Sequence, residues 1–428
     1  MQSSLVAGVF RVVSTVLLAV QIAFLTRSIS LAEYGVWASL SIIGSLSMLG
    51  VGVGMQICNQ LSESGPAREN AAGGKETLFL AAFSVLAWLS LAAVAAVLIL
   101  QRFIPWQLLI PGNDPRLFGI ARAAFPVCLA VQLLGLPFVI GSFGFRAFQE
   151  NNMAAVVGPA AAAGSLVFLL FFIQSGKLQM VYLAPFLAWS LVFCASFFLL
   201  LRKRGWRFRL LSFQKSWSLF SPFLKRSLRF SAFVLAFSLL TVNLPYYAGL
   251  AQGFQSAGRL DLYFKVYLVL LAAIADMLQP LWPAYSSFGS RREYDLIRRS
   301  LRISIAASAL LALGASILVR MVGPWLIRSV TGRAIRIDNA SFLLLSLWLL
   351  LCSLAHALQV FLNARNVVRP QLIAAVAILL PLPLLCRRAG AIGWRNGPVM
   401  INLLGIAVVL AIMARKTFRE LAADRVVI

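Results

Sequence analysis

Acidic residues and histidine are scarce in this chain. Its 428 residues include 13 Asp and Glu, one His and five Cys, against 38 Lys and Arg. The cysteines are scattered with no Cys-x-x-Cys pair, so they are expected to be small apolar fillers rather than metal or redox ligands. The sequence also lacks a GxxxxGK[ST] phosphate loop, which excludes ATP hydrolysis by that motif. No metal or organic cofactor is expected.

Long polar stretches are missing as well, so no segment is available for a separate soluble domain. Hydrophobic residues make up 61% of the chain and charged residues 12%. Roughly a dozen apolar runs of about 18–25 residues follow one another, and a helix of that length crosses the ~30 Å hydrocarbon core of a bilayer. The sequence therefore predicts an all-α, polytopic membrane protein with about 12 transmembrane helices. The predicted spans are 5–25, 35–57, 76–101, 118–145, 153–174, 179–201, 229–250, 261–284, 303–324, 341–362, 371–386 and 396–414.

Lys and Arg decide the predicted orientation. With the N-terminus inside, roughly twice as many loop cations fall on the cytoplasmic side as on the other side. The densest clusters lie at 202–229, 290–302 and 414–420. The sequence thus predicts a multi-pass protein of the bacterial cytoplasmic (inner) membrane with both termini in the cytoplasm. The net charge of +25 is attributed to this asymmetry and to contacts with anionic membrane lipids, because a nucleic-acid partner requires a solvated basic face.

Weak internal similarity divides the chain into two halves. TRSISLAEYGVW (26–37), after the first span, is similar to QSAGRLDLYFKVY (255–267), after the seventh. A second pair, FRAFQENNMAAV and LNARNVVRPQLIAAV, follows the fourth and tenth spans, and two matches in the same order indicate a duplication. We therefore expect an N-terminal six-helix bundle at 1–201, a basic cytoplasmic linker at 202–228 and a C-terminal six-helix bundle at 229–428. The two bundles are expected to be related by a pseudo-two-fold axis along the membrane normal.

Four stretches carry a resemblance to a known family. They are LTRSISLAEYGVWASL (25–40), SMLGVGVG (47–54), LQPLWPAYSS (278–287) and FLNARNVVRPQL (361–372). In this order they resemble the multidrug/oligosaccharidyl-lipid/polysaccharide flippase superfamily, most closely its O-antigen or Wzx-type polysaccharide flippases.

The resemblance implies two six-helix bundles in a V shape that work by alternating access. The substrate it implies is an undecaprenyl-diphosphate-linked oligosaccharide, moved from the inner to the outer leaflet for lipopolysaccharide or another cell-surface polysaccharide. Association with other polysaccharide assembly proteins is also implied. Members often carry acidic residues where this chain has Met48 and Asn243, so ion coupling here has to differ or to use another residue.

Ionisable and polar residues inside the spans form the candidate substrate site, because they are costly in hydrocarbon unless they face water or a partner. A diphosphate needs counter-charge to cross the membrane, and Arg and Lys supply it through charge-assisted hydrogen bonds. Amide side chains can hydrogen-bond a sugar chain. The alternative is that Arg11 and Lys265 extend to the membrane interface. The predicted substrate-binding residues are the cations Arg11, Arg122 and Lys265 and the amides Gln21, Asn243 and Gln279.

Asp276 is the candidate for coupling to H⁺ or Na⁺. It is expected to be the only carboxylate deep within a span, about as deep as Arg11, and the two are predicted to pair in one transport state. The alternative is a permanent buried pair that fixes helix packing. Glu33 and Tyr34 at the start of span two, like Asp261 and Tyr263 at the start of span eight, are expected to be cap and interface residues rather than substrate ligands. His356 is expected to be a packing residue.

Two other functions remain open on the sequence. A membrane-embedded polymerase, ligase or glycosyltransferase needs paired carboxylates, a metal site or a large outer loop. The longest outer loop, near 102–117, has Asp114 as its one carboxylate. A drug or cation antiporter of the same superfamily needs an acidic lumen, whereas buried cations are expected to outnumber buried carboxylates here. The sequence therefore favours transport of an anionic lipid-linked oligosaccharide over both alternatives.

Overall fold

Helices account for all regular structure in the described part of the chain. The computed structural model describes residues 2–63, 74–112, 114–278, 280–333, 335, 338–365 and 367–426. The helices before residue 205 are α1 (Gln2–Ser28), α2 (Leu31–Leu40), α3 (Ser47–Glu63), α4 (Gly74–Leu100), α5 (Trp106–Leu109), α6 (Pro115–Gly135), α7 (Ile140–Ala147), α8 (Asn151–Gln174) and α9 (Leu178–Arg204). Those after it are α10 (Phe213–Val242), α11 (Leu244–Gln252), α12 (Phe254–Leu278), α13 (Leu281–Ser290), α14 (Tyr294–Thr331), α15 (Asn339–Ala364), α16 (Arg369–Leu379), α17 (Leu382–Ala391) and α18 (Gly397–Val426).

The helix count is close to the predicted one. Within the described residues, 10 helices are long and apolar enough to cross a bilayer, and the count reaches 11 if the bent pair Ser227–Val242 and Leu244–Gln252 forms one span. α12 lies where the eighth span is predicted and is 25 residues long. It carries four charged residues, Arg259, Asp261, Lys265 and Asp276. The expectation of an all-α polytopic membrane protein is confirmed.

A sharp bend separates α10 from α11 at Asn243. The two helices meet at 55°, and Pro245 lies in the first turn of α11, where its missing N–H leaves no intrahelical bond unmade. Asn243 Nδ2 donates to the Ser238 carbonyl at 3.1 Å, and the Tyr247 hydroxyl donates to the Leu239 carbonyl at 3.0 Å. Both bonds give carbonyls in the last turn of α10 an additional side-chain donor next to the bend.

The chain divides into two compact units. Unit 1 consists of Met1–Ser28 and Leu40–Leu235, and unit 2 consists of Ile29–Ser39 and Ala236–Ile428. This division differs in two places from the boundaries expected from the sequence. Most of α2 packs with the C-terminal helices, and the segment expected to be a linker, together with the first part of α10, packs with the N-terminal ones.

Close packing between α3 and α10 explains why the start of α10 belongs to unit 1. A Cβ placed on Gly52 would lie 2.5 Å from the Ser231 Cα, so the absence of a side chain lets the two helices touch. The Ser231 hydroxyl donates to the Leu49 carbonyl at 3.0 Å. α10 begins at Phe213, within the predicted linker 202–228, because its first turns pack on unit 1 instead of crossing open solvent.

The residues between α9 and α10 are also fastened to unit 1. The Trp88 indole N–H donates to the Leu211 carbonyl at 3.0 Å, and the Leu211 N–H donates to the Ser84 hydroxyl at 3.0 Å. The rings of Phe79 and Trp206 lie 5.5 Å apart. These contacts join an aromatic core, so the basic connection has a defined path along α4.

Candidate functional site

Two glycines bring α2 and α12 into backbone contact within unit 2. A Cβ on Gly35 would lie 1.7 Å from the Phe254 carbonyl oxygen, and one on Gly258 would lie 2.5 Å from the Leu31 carbonyl oxygen. Both distances are shorter than any real contact to a backbone atom, so only glycine fits at either position. The close approach places the side chains that follow on α2 directly beside those of α12.

Asp261 is buried at this contact. Asp261 is 1% exposed, and it is the one buried carboxylate among the described residues. The Tyr34 hydroxyl donates to Oδ2 at 2.6 Å, and the Lys265 ammonium donates to Oδ1 at 2.9 Å. Both carboxylate oxygens thus have a charged or hydroxyl donor, which is the condition under which a carboxylate is tolerated in a membrane interior.

Lys265 lies between a carboxylate and an aromatic ring. Its side chain is 13% exposed and pairs with Asp261 one helical turn earlier. Its Nζ lies 4.8 Å from the centre of the Trp37 ring, within the range of a cation–π interaction. The rings of Tyr34 and Trp37 are themselves stacked at 5.4 Å. We call Tyr34, Trp37, Asp261 and Lys265 the Asp–Lys cluster.

One donor in the Asp–Lys cluster has no acceptor within the described part of the chain. The Trp37 indole nitrogen is buried, and among the described residues it has no hydrogen-bond partner. The Lys265 ammonium has three N–H bonds, of which one is directed to Asp261. The cluster therefore combines a neutralised carboxylate with donor capacity that an additional anionic oxygen can use.

Two described residues after α14, Arg333 and Ile335, contact the start of α2 and α12. The Tyr263 hydroxyl donates to the Ile335 carbonyl at 2.7 Å, and Arg333 Nη2 donates to the Ile29 carbonyl at 3.3 Å. These two bonds fix Ile29, where the chain enters unit 2, and Tyr263, which lies between Asp261 and Lys265 in sequence. The cluster is thus supported from α2, from α12 and from Arg333 and Ile335.

The predicted site residues lie in separate places within the two units. Arg11 on α1 and Arg122 on α6 are exposed within unit 1. Gln21 is buried there, with its side-chain nitrogen donating to the Ala162 carbonyl. Asn243 is buried at the bend described above. Gln279 lies outside the described residues, and among the predicted substrate-binding residues Lys265 is the one in the Asp–Lys cluster.

The expectation that Asp261 is a cap residue is wrong, whereas Glu33 does cap α2, because its carboxylate accepts from the Ser30 N–H at 2.9 Å. Gly253, whose φ is 84°, follows the end of α11, and α12 starts at Phe254, so Asp261 lies well inside α12 and not at its cap.

Asp276, expected to be the deep carboxylate, is exposed within unit 2. The predicted pairing of Asp276 with Arg11 joins residues of different units and stays a prediction.

His356, expected to be a packing residue, packs edge-on against Phe237, with ring centres 5.6 Å apart.

A signal for the Asp261–Lys265 pair was present in the sequence. The spacing of i and i+4 in DLYFK places the two side chains on one helix face, where opposite charges attract. The contribution of Tyr34 had no comparable signal, because 227 positions separate it from Asp261.

Comparison with known proteins shows that the chain has a known fold. No family model matches the sequence, and no curated protein matches it. The structure is similar to the lipid II flippase MurJ in an inward closed conformation, with a TM-score of 0.65 and 13% identity over 97% of this chain and 87% of that chain. It is also similar to an inward-facing multidrug resistance MATE family transporter of the MOP superfamily, with a TM-score of 0.66 and 14% identity over 97% of this chain and 95% of that chain.

A third similar structure is a MOP superfamily transporter from Pyrococcus furiosus, described by a reverse polarity of its binding pocket. Its TM-score is 0.60, with 14% identity over 96% of each chain. This chain has the fold of MOP-superfamily transporters. The superfamily fold expected from the resemblance is thus confirmed, while the O-antigen branch stays a prediction. The three similar structures are described as two transporters and a flippase.

Proposed function

We propose that the chain is a transporter that moves an anionic, lipid-linked oligosaccharide across the membrane by alternating access. The substrate class is a polyprenyl diphosphate carrying a sugar chain, moved from the cytoplasmic to the outer leaflet for cell-surface polysaccharide. The single observation that carries the proposal is the ion pair between Asp261 and Lys265, with Nζ and Oδ1 2.9 Å apart.

The ion pair matters because it removes the charge that a cationic substrate requires. A cation crossing the membrane needs a carboxylate that is not already neutralised. Asp261 is buried and receives both the Lys265 ammonium and the Tyr34 hydroxyl. Displacing Lys265 with a drug cation would leave the ammonium itself without a partner in a low-dielectric site, which is strongly unfavourable.

An anionic substrate meets no such obstacle. A phosphate oxygen can accept from the unused N–H bonds of Lys265 and from the Trp37 indole N–H, which lacks an acceptor among the described residues. Tyr34 keeps one oxygen of Asp261 satisfied while Lys265 shifts toward the phosphate. The polyprenyl chain remains in lipid throughout, so the protein has to neutralise and solvate the headgroup alone.

Coupling to H⁺ or Na⁺ belongs to the same proposal. A carboxylate that loses its ammonium partner to a phosphate becomes a site for a proton or a small cation. Asp261 fills this role in the proposal, and Asp276, on the same helix, remains the residue predicted from the sequence. We further propose the orientation derived from the Lys and Arg distribution, with both termini in the cytoplasm of a bacterial inner-membrane protein.

A drug antiporter is the second candidate function. The similarity to MATE transporters is as strong as that to MurJ. Asp276 is exposed and lies on α12, so it offers a carboxylate for a cationic substrate. The fold alone does not separate the two functions, and the transport assay below does.

The test uses proteoliposomes that hold a fluorescent polyprenyl-diphosphate oligosaccharide. Translocation is scored by accessibility to an impermeant sugar-modifying enzyme. We expect translocation by the wild type and by Lys265→Arg, and its loss in the double variant Asp261→Asn/Lys265→Gln, which keeps the site neutral overall and avoids a lone buried charge. Lys177→Ala, at an exposed lysine outside the cluster, is the matched control and keeps wild-type transport. Full transport by the double variant, or export of organic cations in place of the lipid, contradicts the proposal.

A further inference from the structure

A cavity of about 560 Å³ lies within unit 2, between α14, α15 and α18. Its size is within the range of about 300–1,000 Å³ that is usual for ligand sites. Phe418 at this cavity is 71% exposed, so an aromatic ring is left uncovered beside it. The apolar walls are formed by Leu301, Ile305, Leu354, Leu358, Leu410 and Phe418.

Two arginines on α14 join this apolar groove to a polar cavity. Arg298 and Arg302 line the groove, and both also line an adjoining cavity of about 470 Å³ that contains Asp295 and Arg299. Arg298 is held in place, because its Nη2 donates to the Leu421 carbonyl at 3.2 Å and its Nη1 lies 3.5 Å from Asp295. Arg302, one turn later on the same face, is exposed. Two guanidinium groups at this spacing form a receptor for phosphate.

Thr417 supplies an independent indication of a ligand. It lines the groove from α18 and is 2% exposed. Its hydroxyl has no hydrogen-bond partner among the described residues. A threonine within a helix normally satisfies itself on the carbonyl one turn earlier, as Thr331 and Thr241 do in this chain. A buried hydroxyl without a partner is costly, and an ester or phosphate oxygen in the groove would satisfy it.

We propose that this groove is a binding site for an anionic glycerophospholipid. Its phosphate binds Arg298 and Arg302, an acyl chain lies along the apolar walls, and an ester oxygen accepts from Thr417. The positive charge of the arginines favours an anionic over a zwitterionic headgroup. The cytoplasmic leaflet, in which these helix ends are predicted to lie, carries such anionic lipids. The apolar walls exclude free phosphate as the intended ligand, and the volume fits an acyl chain better than a much longer polyprenyl chain. The bound lipid would join α14 to α18 and stabilise unit 2.

The test measures binding of phosphatidylglycerol to the purified, delipidated full-length protein by native mass spectrometry, with the melting temperature as a second readout. Phosphatidylcholine, inorganic phosphate and a polyprenyl phosphate are measured in parallel. We expect phosphatidylglycerol to bind best and to raise the melting temperature. Arg302→Gln should weaken its binding on the order of tenfold, the effect of removing one hydrogen bond to a charged group.

Two further variants make the result specific. Arg328→Gln, the same change at an exposed residue near the other end of α14, should leave lipid binding unchanged. Ala414→Leu fills the groove from α18 and should weaken lipid binding while the lipid-free protein keeps its elution profile. Equal weakening by Arg302→Gln and Arg328→Gln would mean that net charge alone attracts the lipid, and would overturn the site. The site would also be overturned if inorganic phosphate raised the melting temperature as much as phosphatidylglycerol does, or if the protein bound the polyprenyl phosphate in preference to phosphatidylglycerol.

Discussion

The Tyr34 hydroxyl donates a 2.6 Å hydrogen bond to the Asp261 carboxylate, joining the residue just before the second predicted span to the first residue of the eighth. This bond closes a buried cluster in which the same carboxylate holds Lys265. Through it, a segment from the start of the chain becomes part of unit 2.

Replacing Tyr34 with Phe should lower stability while leaving the helix packing intact. The change removes one donor to a buried carboxylate and costs about 2 kcal/mol, since hydrogen bonds to charged groups contribute more than neutral ones. Thermal unfolding in detergent, followed by fluorescence-detected gel filtration, measures the effect. Tyr285→Phe is the control, because the partner of the Tyr285 hydroxyl among the described residues is the neutral Ser304 hydroxyl at 3.3 Å. Equal losses in the two variants would show that Asp261 gives Tyr34 no special role.

Asp261→Asn should destabilise the protein more than the double variant Asp261→Asn/Lys265→Gln. The single change leaves the Lys265 ammonium without its partner, and breaking a buried pair costs about 3–5 kcal/mol when both groups are fully buried. The cost is smaller here because the Lys265 side chain is 13% exposed. A double-mutant cycle on melting temperature checks the coupling. Additive losses would indicate that the two charges do not interact.

Gly35→Ala should prevent normal packing of α2 on α12. The new methyl would lie 1.7 Å from a backbone oxygen of Phe254, and overpacking against backbone costs about 3 kcal/mol or more. Gly44→Ala is the matched control, since nothing lies within 4 Å of its Cβ position. The control should be neutral or slightly stabilising, by about 0.5 kcal/mol. Expression level and melting temperature distinguish the two, and normal folding of Gly35→Ala would contradict the close contact.

Trp88→Phe should release the connection between α9 and α10. The indole N–H holds the Leu211 carbonyl at 3.0 Å, and phenylalanine keeps most of the ring but has no donor. Limited trypsin digestion should therefore cut faster at Arg207 and Arg209. Trp189→Phe, at a position that is 39% exposed, serves as the control and should not change the cutting rate. An unchanged rate in Trp88→Phe would mean that other contacts fix the segment.

Long apolar runs make the positions of the helices predictable, but they do not predict which helices pack against one another. Span positions follow from segment length and hydropathy, so α4 (Gly74–Leu100) and α8 (Asn151–Gln174) agree closely with the predicted 76–101 and 153–174. The position of α2 in unit 2 depends on the contact of Gly35 with Gly258, which involves residues far apart in sequence. No local pattern encodes such a contact.

The candidate site is only partly predictable, for the same reason. Lys265 is predictable because a charge within a span is unusual. Hydropathy places the start of the eighth span at Asp261, whereas α12 starts at Phe254, directly after the turn at Gly253. Whether Arg11, Arg122, Gln21 and Asn243 bind the substrate stays a prediction for the transport assay.

The most direct test of the central claim varies the charge of the substrate rather than the protein. Wild-type proteoliposomes are loaded with two fluorescent lipid-linked oligosaccharides that share the sugar and the polyprenyl chain, one joined by a diphosphate and one by a neutral linkage. Translocation of each is followed with the impermeant sugar-modifying enzyme. Rapid movement of the diphosphate form, with the neutral form remaining at the level of protein-free vesicles, is the predicted result. Equal movement of both forms, or movement of neither, would contradict the claim that the Lys265 ammonium and its neighbours serve an anionic substrate.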